Sequence, residues 1–311
     1  MNKFKQMINF SGSNFLIPMF ITALLYTFVP SVLTLGVPFS GFFTTQATFF
    51  IVAVLIFVSG VQTQLNNLPR VLKSMGTLLL LKILLTVVVV LIWKRLFPET
   101  GLFGITVLSL TPVLLSLNPG MYLTLLNRSG ITEIEETAFS LVNLLMLPAI
   151  PLIILSLGSP IEVSLWQPIF ASIIPFILGL MIGHLFPSYR KQVAPLSMLL
   201  IPFLAVTFGA QLNLIDALRG GVSGLILTGL YYLLMVLPLT LFERQWNHNG
   251  GRMTLSMHSI ATFSMSIPPY IAQYIPSFQS QINEAISQIA FGVIITSFLT
   301  PFLYDKFINH K

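Results

Sequence analysis

The sequence is a succession of long apolar stretches separated by short polar ones. Each stretch holds about 20 mostly apolar residues, the length at which an α-helix crosses the hydrocarbon core of a bilayer. This pattern predicts ten membrane spans, at residues 14–35, 42–61, 76–97, 102–126, 136–157, 168–186, 194–214, 222–242, 253–275 and 281–304. We therefore predict an all-α membrane protein in which residues 1–311 form a single membrane unit.

Two of the predicted spans, the fourth and the ninth, are interrupted by polar and helix-breaking residues. These are Ser116, Asn118, Pro119, Gly120 and Tyr122 in the fourth span, and Thr262, Ser264, Ser266 and Pro268 in the ninth. Proline removes a backbone donor and glycine loosens a helix, so such breaks leave backbone groups that lipid cannot satisfy. They persist only against protein, water or a ligand. Paired breaks of this kind indicate the binding site of a transporter.

The two interruptions belong to an internal repeat. Pro18 matches Pro175 and Pro30 matches Pro187 at a displacement of 157 positions, and residues 60–65 match 209–214 and Pro119 matches Pro268 at a displacement of 149. Each half, approximately 14–157 and 168–304, holds five predicted spans. Because five is odd, the second half enters the membrane from the opposite side. The sequence therefore predicts two inverted five-helix repeats, with the broken helices 4 and 9 crossing near the bilayer midplane.

The composition excludes a soluble domain with a charged surface, since 55% of the residues are hydrophobic and only 8% are charged. The net charge of +6 arises from Lys and Arg residues that stand singly in short loops, so no basic patch for nucleic acid is predicted. Eleven of these fall on the predicted side of the N-terminus and three, Lys94, Arg95 and Arg219, on the other. An excess of positive charge marks the cytoplasmic side, which predicts that both termini are cytoplasmic.

The sequence also lacks the residue patterns of several other functions. It has no cysteine, which excludes disulfides, thiolate metal sites and cysteine nucleophiles. It has no glycine-rich phosphate loop followed by Lys-Ser or Lys-Thr, which argues against ATP-driven transport. We therefore predict no cofactor and no metal. A hydrolase within the membrane, using His258 with Ser256 or Ser259, is the alternative enzymatic interpretation, but no acidic partner for the histidine is visible in the sequence.

A broken helix exposes the N-terminus of its second half, where free N–H groups and the positive end of the helix dipole attract anions. Hydroxyl and amide side chains beside the break can then bond to sugar oxygens. We therefore expect the residues of the two interruptions to bind a small organic anion, and the side chains that we expect to line one cavity are Asn118, Tyr122, Ser264 and Ser266. The alternative is that the hydroxyls only satisfy helix carbonyls and the prolines only kink the helices.

Two titratable side chains lie well inside predicted spans and are candidates for coupling transport to an ion. Lys82 is in an apolar run, where a charge is costly and usually functional. It either pairs with a substrate carboxylate or snorkels, since only about six residues, or about 9 Å of helix, separate it from the start of its span. His258 either changes its charge near physiological pH or has a structural role.

Several other polar residues lie at the ends of predicted spans. One set, which either lines a vestibule or only terminates its spans, consists of Gln62, Gln64, Gln211 and Asn213. A second set, which we expect to be solvated, consists of Glu135, Glu136, Asp216 and Glu284. On this interpretation the acidic residues supply no carboxylate at membrane depth.

The order and spacing of these features resemble the bacterial 2-keto-3-deoxygluconate permease family. The positions that carry the resemblance are Ile17, Pro18, Gly60, 77–82, Asn118, Gly120, Tyr122, Pro148, 201–203, Gly209, 250–251 and Pro268. Members of this family resemble the ten-span fold of bile-acid symporters and sodium/proton antiporters. The resemblance implies proton-coupled uptake of a sugar-derived keto acid across the bacterial cell membrane. It also implies that spans 1, 2, 6 and 7 form a panel that moves against a core of spans 3 to 5 and 8 to 10.

The chain departs from the family in the fifth span and at both interruptions. Met146 stands where the family has an aspartate, so a carboxylate at membrane depth is missing. Pro119 replaces a family glycine, and Ala210 and Phe263 stand where the family tends to have asparagine, which predicts a narrower and more apolar site. If transport is proton-coupled, one of the two titratable candidates must then change protonation, with the lysine favoured because it matches the family. Sodium-coupled or uncoupled transport of an organic anion is the alternative.

Overall fold

A computed structural model describes residues 13–63, 66, 68–97, 100–145, 149–157 and 166–309. The main helices are α1 (Ser13–Phe28), α2 (Thr45–Gln62), α3 (Thr77–Leu96), α4 (Val107–Leu115), α5 (Pro119–Arg128), α6 (Glu133–Leu145), α7 (Ala149–Ser156), α8 (Trp166–Leu185), α9 (Pro187–Gly209), α10 (Leu214–Tyr231), α11 (Leu237–Trp246), α12 (Arg252–Met257), α13 (Ile267–Tyr274) and α14 (Ile282–Tyr304). Shorter helical turns lie at Pro30–Leu33, Phe39–Phe43, Leu68–Val71, Thr262–Ser266 and Pro276–Gln281, and π-helical turns at Leu72–Gly76, Tyr232–Val236 and Asp305–Asn309. Across the described residues the only β-structure is an isolated bridge between Leu102 and Ile105, so the predicted all-α class is confirmed.

Six helical segments of the described chain are long and apolar enough to cross a membrane. They are Thr45–Gln62, Pro69–Leu96, Val107–Arg128, Pro187–Gly209, Leu214–Trp246 and Pro276–Ile308. Two further apolar helices, Ile17–Phe28 and Ile169–Leu185, are shorter. The ninth predicted span is divided into α12 and α13, and the described parts of the fifth are α6 and α7. The count of ten spans stays a prediction, because length alone does not decide whether a short or divided helix crosses the bilayer.

The fourth predicted span is divided at the Asn-Pro-Gly run that the sequence singles out. Helix α4 ends at Leu115, and α5 begins at Pro119. Asn118 before it has an extended backbone, with φ −121° and ψ 94°. Proline is well suited to the first position of a helix, since its missing N–H would have no partner there in any case. The local sequence therefore explains where the second half-helix starts.

The ninth predicted span breaks earlier than the sequence indicates. Helix α12 already ends at Met257, and the chain resumes with the turn at Thr262–Ser266, which leads into α13. Between them the backbone N–H of Ile260 donates to Thr296 Oγ1 of α14 over 2.9 Å. A side chain from another helix thus replaces a bond that α12 would otherwise make within itself. That partner is 36 residues away, which is why the prediction placed the break too late.

The helices pack as two groups. The first group consists of α1, α2, α8 and α9, in which α2 packs along α8 and α9, and α1 packs along α9. The second group holds the other main helices, with α10 packed along α14 and α3 along α4. The most extensive contact between the groups joins α2 to α6. These groups contain the same predicted spans as the panel and the core that the family resemblance implies.

Some predicted features lie outside the described residues. They are Met146 and Pro148 in the fifth predicted span, Gln64 at the end of the second, and most of the segment that joins the two halves of the chain. The missing carboxylate of the fifth span is therefore a statement about the sequence alone.

Candidate functional site

The two interruptions are bonded directly to each other. Ser116 Oγ accepts hydrogen bonds from the backbone N–H of Ala261, at 2.8 Å, and from Ser264 Oγ, at 2.9 Å. The backbone N–H of Asn118 donates to the carbonyl oxygen of Met257 over 2.9 Å. All of these residues are buried. Each break therefore satisfies polar groups of the other, as lipid could not.

Asn118 also caps the helix that follows it. Its Oδ1 accepts from the backbone N–H of Met121 over 3.0 Å, and Pro119 occupies the first position of α5. An asparagine in this position satisfies one of the N–H groups that a helix start leaves free. Gly120 accepts from Thr124 Oγ1 through its carbonyl oxygen, at 2.7 Å. The N–H of Met121, one of the free N–H groups that we expected to face a ligand, is thus bonded to the side chain of Asn118.

The remaining hydroxyls of the interruptions point to separate partners. The hydroxyl of Tyr122 donates to the carbonyl oxygen of Glu135, at 2.8 Å, and so joins α5 to α6. Thr262 Oγ1 lies 3.4 Å from Met19 Sδ, and Ser266 Oγ donates to a carbonyl oxygen of its own turn. The structure therefore brings Ser116, Ser264 and the backbone of Asn118 together, and we call this contact between the interruptions the junction. The side chains of Tyr122, Thr262 and Ser266 bond elsewhere.

Lys82 lies beside the junction and is fully buried. Its Nζ has no hydrogen-bond partner among the described residues and lies 5.2 Å from the ring centroid of Tyr231. Snorkelling would require the nitrogen to reach the surface. Of the two interpretations drawn from the sequence, the structure therefore excludes snorkelling. A buried amine without a partner is a high-energy arrangement that a ligand or water would relieve.

Tyr231 is the residue of this site that the sequence analysis missed. It is fully buried, and its hydroxyl donates to the carbonyl oxygen of Ser116 over 3.1 Å. Its ring faces Lys82 and lies beside the ring of His258, with a centroid separation of 6.0 Å. The repeat contained the signal, because Lys82 and Tyr231 are 149 positions apart, the same displacement that relates the two interruptions.

His258 lies at the end of α12 and is buried. Its Nδ1 is 2.8 Å from the carbonyl oxygen of Thr254, which can only accept, so we assign the proton of the neutral ring to Nδ1. Its Nε2 has no partner within the described chain. The other ring nitrogen is thus available as a hydrogen-bond acceptor at the junction.

The hydrolase alternative finds no support in the geometry around His258. Ser256 Oγ donates to the carbonyl oxygen of Met253 at 2.9 Å, and Ser259 Oγ donates to Thr296 Oγ1 at 3.3 Å. Neither hydroxyl bonds to the imidazole in the described structure. A hydrolytic mechanism would need a nucleophile within hydrogen-bond reach of its base.

A cavity of about 630 Å³ opens next to the second interruption, between the first group of helices and the segment from Met265 to α13. Its lining residues carry hydroxyl, amide, aromatic and apolar groups but no charge. They are Tyr26, Phe43, Thr44, Thr45, Gln46, Phe49, Ala210, Gln211, Met265, Ser266, Pro269, Tyr270, Gln273 and Ile286. Of the residues at repeated span ends, Gln211 lines this cavity. Gln62 instead bonds to Ser197, and Asn213 caps α10.

Two carboxylates are buried outside the lining of this cavity, and the burial of one of them, Glu135, is contrary to expectation. Glu135 is only 4% exposed and forms an ion pair with Arg252, whose Nε lies 2.7 Å from Oε1. Glu243, which the sequence places at a loop boundary, is fully buried and accepts from the backbone N–H groups of Met253 and Thr254, at 3.0 and 2.6 Å. The prediction that Glu135 is solvated is wrong, because its partner is supplied from a distant part of the chain.

Comparison with known proteins agrees with the resemblance noted in the sequence. Residues 4–311 match the model of a family described as 2-keto-3-deoxygluconate permease. Curated proteins with that name from Escherichia coli O9:H4 (strain HS), Escherichia coli (strain K12 / DH10B) and Escherichia coli O157:H7 (strain EC4115 / EHEC) are each 29% identical to the chain over 302 residues. The aligned region covers 94% of this chain and 90% of each relative.

Proposed function

Because the chain belongs to the 2-keto-3-deoxygluconate permease family, we propose that it is a secondary transporter of 2-keto-3-deoxygluconate or a closely similar sugar acid. The observation on which the proposal rests is the fully buried Nζ of Lys82, which has no hydrogen-bond partner among the described residues. An ionisable group at membrane depth is costly and usually functional. A carboxylate is the natural partner of such a nitrogen, and a sugar acid supplies one.

The substrate's hydroxyl groups have a different set of partners. In the proposal they bond to the polar groups of the interruptions and of the adjoining cavity. The residues of the interruptions are Ser116, Asn118, Pro119, Gly120, Tyr122, Thr262, Ser264, Ser266 and Pro268. The cavity next to Ser266 supports this role, because it is lined by amides, hydroxyls and aromatic rings, which suit a polyhydroxylated ligand.

The architecture that goes with this function is two inverted five-helix repeats with ten spans, in which the broken helices 4 and 9 cross. The bonds of Ser116 to Ala261 and Ser264 support it, since they join the two interruptions. In the proposal both termini are cytoplasmic, the protein lies in the bacterial cell membrane, and the two groups of helices move against each other to give alternating access. The division of the helices into two packed groups supports such a movement.

Coupling to a proton requires a group that binds and releases it during the cycle. Lys82 and His258 are the two candidates, and both contact the ring of Tyr231. Lys82 is favoured because its nitrogen would also meet the substrate carboxylate. Sodium-coupled or uncoupled movement of the organic anion is the alternative that the experiment must separate.

Binding and coupling are tested in two stages. Purified protein is first heated with 2-keto-3-deoxygluconate, uronates and dicarboxylates, since a ligand of the folded state raises the unfolding temperature. Uptake into proteoliposomes is then compared under a proton gradient, a sodium gradient and no gradient. Accumulation driven by the proton gradient alone supports proton symport, and equilibration without accumulation supports uncoupled transport. Absence of binding and of uptake for every sugar acid would contradict the proposed function.

A further inference from the structure

Tyr231 contacts three groups that belong to different elements. Its hydroxyl donates to the carbonyl oxygen of Ser116, at the end of α4. Its ring lies over Lys82 Nζ of α3 and beside His258, which follows α12. Tyr231 is the last residue of α10, and the π-helical turn Tyr232–Val236 follows at once. Such π-helical turns are rare and occur frequently at functional sites.

The hydroxyl of Tyr231 is hydrogen-bonded to the first interruption. The last carbonyl groups of a helix have no partner within it, and α4 ends immediately before Ser116. By donating to the carbonyl oxygen of Ser116, Tyr231 holds the residue whose Oγ accepts from Ala261 and Ser264. The geometry of the junction therefore depends on a bond from α10.

The ring of Tyr231 lies next to the two titratable candidates, Lys82 and His258. The face of an aromatic ring attracts an ammonium group within about 6 Å of its centroid, and Lys82 Nζ lies at 5.2 Å. The titratable groups that surround the ring are Lys82 from α3, His258 from the segment after α12, and Tyr232 from the following turn. Ser116, the residue that follows α4, contributes its carbonyl oxygen to this contact, and α4 itself contains no charged residue.

We propose that Tyr231 is a positioning residue of the transport site: its ring holds the nitrogen of Lys82 in place, and its hydroxyl fixes the carbonyl of Ser116 at the junction. Through these two contacts Tyr231 links the protonation state of Lys82 to the position of Ser116 at the junction. This inference rests on the proposed function, because it assigns to Lys82 the substrate's carboxylate.

The two contacts are separated by two variants. Tyr231→Phe keeps the ring and removes the hydroxyl, whereas Tyr231→Met removes both and fills the space with a flexible apolar chain. Tyr304→Phe is the matched control, since Tyr304 is also fully buried but its hydroxyl is hydrogen-bonded to the hydroxyl of Ser129. All proteins are first shown to be folded by their thermal unfolding, and then compared for binding of 2-keto-3-deoxygluconate and for the pH profile of its transport.

We expect Tyr231→Phe to weaken substrate binding about 2- to 13-fold, the loss of one buried hydrogen bond, and to leave the midpoint of the pH profile unchanged. Tyr231→Met weakens binding further and shifts that midpoint, because the ring no longer faces the lysine. Tyr304→Phe leaves both quantities at their wild-type values. A merely structural tyrosine would lower stability without moving the pH profile.

The outcomes distinguish this inference from the proposed function. If the wild type binds the substrate and Tyr231→Phe binds it equally well, the role of Tyr231 alone is overturned. Equal losses of affinity in Tyr231→Phe and Tyr304→Phe would have the same consequence. An unshifted pH profile in Tyr231→Met would do the same. If Tyr231→Met does not fold, the affinity difference between the two phenylalanine variants decides. A wild-type protein that binds no sugar acid would overturn the proposed function and this inference with it.

Discussion

Gly60 and Gly209 make equivalent contacts in the two halves of the chain. A Cβ atom on Gly60 would overlap the carbonyl oxygen of Phe176 in α8, and one on Gly209 would overlap that of Met19 in α1. The glycines are 149 positions apart and their partners 157, the two displacements of the sequence repeat. Each half thus packs its second predicted span against the first predicted span of the other, which supports the proposed inverted repeat.

The close approach of α2 and α8 at Gly60 predicts a large effect of one methyl group. We expect Gly60→Ala to lower the free energy of unfolding by about 1 to 3 kcal/mol, because the backbone of α8 must move away. Gly229→Ala is the control, since no atom lies within 4 Å of its added Cβ, and the helix propensity of alanine should leave stability equal or raised by up to about 1 kcal/mol. Unfolding in detergent measures both, and equal stabilities would contradict the packing.

The buried ion pair of Glu135 and Arg252 predicts a stability effect that an exposed pair does not give. Arg252→Met leaves the buried glutamate without its ion-pair partner but with the N–H and hydroxyl of Thr132, which donate to its Oε2. We expect a loss of about 1.5 to 3 kcal/mol, the range for a hydrogen bond to a charged group. Arg219→Met breaks the exposed pair with Asp216 and should change stability by at most about 1 kcal/mol. Denaturation of the two variants under the same conditions compares them. Similar small losses in both would show that the ion pair of Glu135 stabilises the fold no more than an exposed pair does.

The bond between Ser116 and Ser264 predicts coupled effects on substrate binding. Ser264→Ala removes one donor and should weaken binding of 2-keto-3-deoxygluconate by about 2- to 13-fold. Ser116→Ala also leaves the backbone N–H of Ala261 unpaired, so its effect should be larger. The double variant should lose less than the two single losses combined. Ser287→Ala serves as the control, because this partly exposed serine donates to the carbonyl oxygen of Asn283 within α14. Strictly additive losses in the double variant would contradict a shared site.

The two roles of Asn118 can be separated by choosing the replacement. Asn118→Ala removes the helix cap and should lower stability by about 0.5 to 2 kcal/mol, whereas Asn118→Ser retains a capping oxygen and should stay close to wild type. Both variants lose the amide, so both should bind the substrate more weakly if it contacts the ligand, as should Ser266→Ala. Thermal unfolding and ligand titration are measured on the same samples. Normal binding by Asn118→Ser and Ser266→Ala would show that the substrate site lies elsewhere.

The coupling hypothesis is tested by removing each titratable candidate. Lys82→Met should abolish accumulation driven by a proton gradient in proteoliposomes, because it removes both the proton carrier and the partner of the substrate carboxylate. His258→Gln tests the second candidate, since an amide cannot change its charge. Substrate exchange without a gradient is measured in parallel and reports whether binding survives. Gradient-driven accumulation that persists in both variants would remove both residues from the coupling mechanism.

The sequence by itself determined the helical class and the position of the first interruption. Both depend on short-range properties: the length of an apolar stretch sets whether it can be a span, and Asn118 followed by Pro119 favours the start of a helix. It also identified Lys82, because a charge within an apolar run is visible without knowledge of its neighbours. For the same reason the repeat was detectable, since proline and glycine positions recur at constant spacing.

Only the tertiary structure decided which polar groups are buried and what they bond to. In the sequence, Tyr231 does not differ from other residues of an apolar span. In the folded protein its hydroxyl donates to the carbonyl oxygen of Ser116, which lies 115 residues earlier in the chain. Glu135 lies next to a loop, where exposure is the usual outcome, yet Arg252 reaches it from a distant segment and compensates the loss of water. The burial of a polar side chain depends on the partner that folding brings to it, and the sequence near that side chain does not contain the partner.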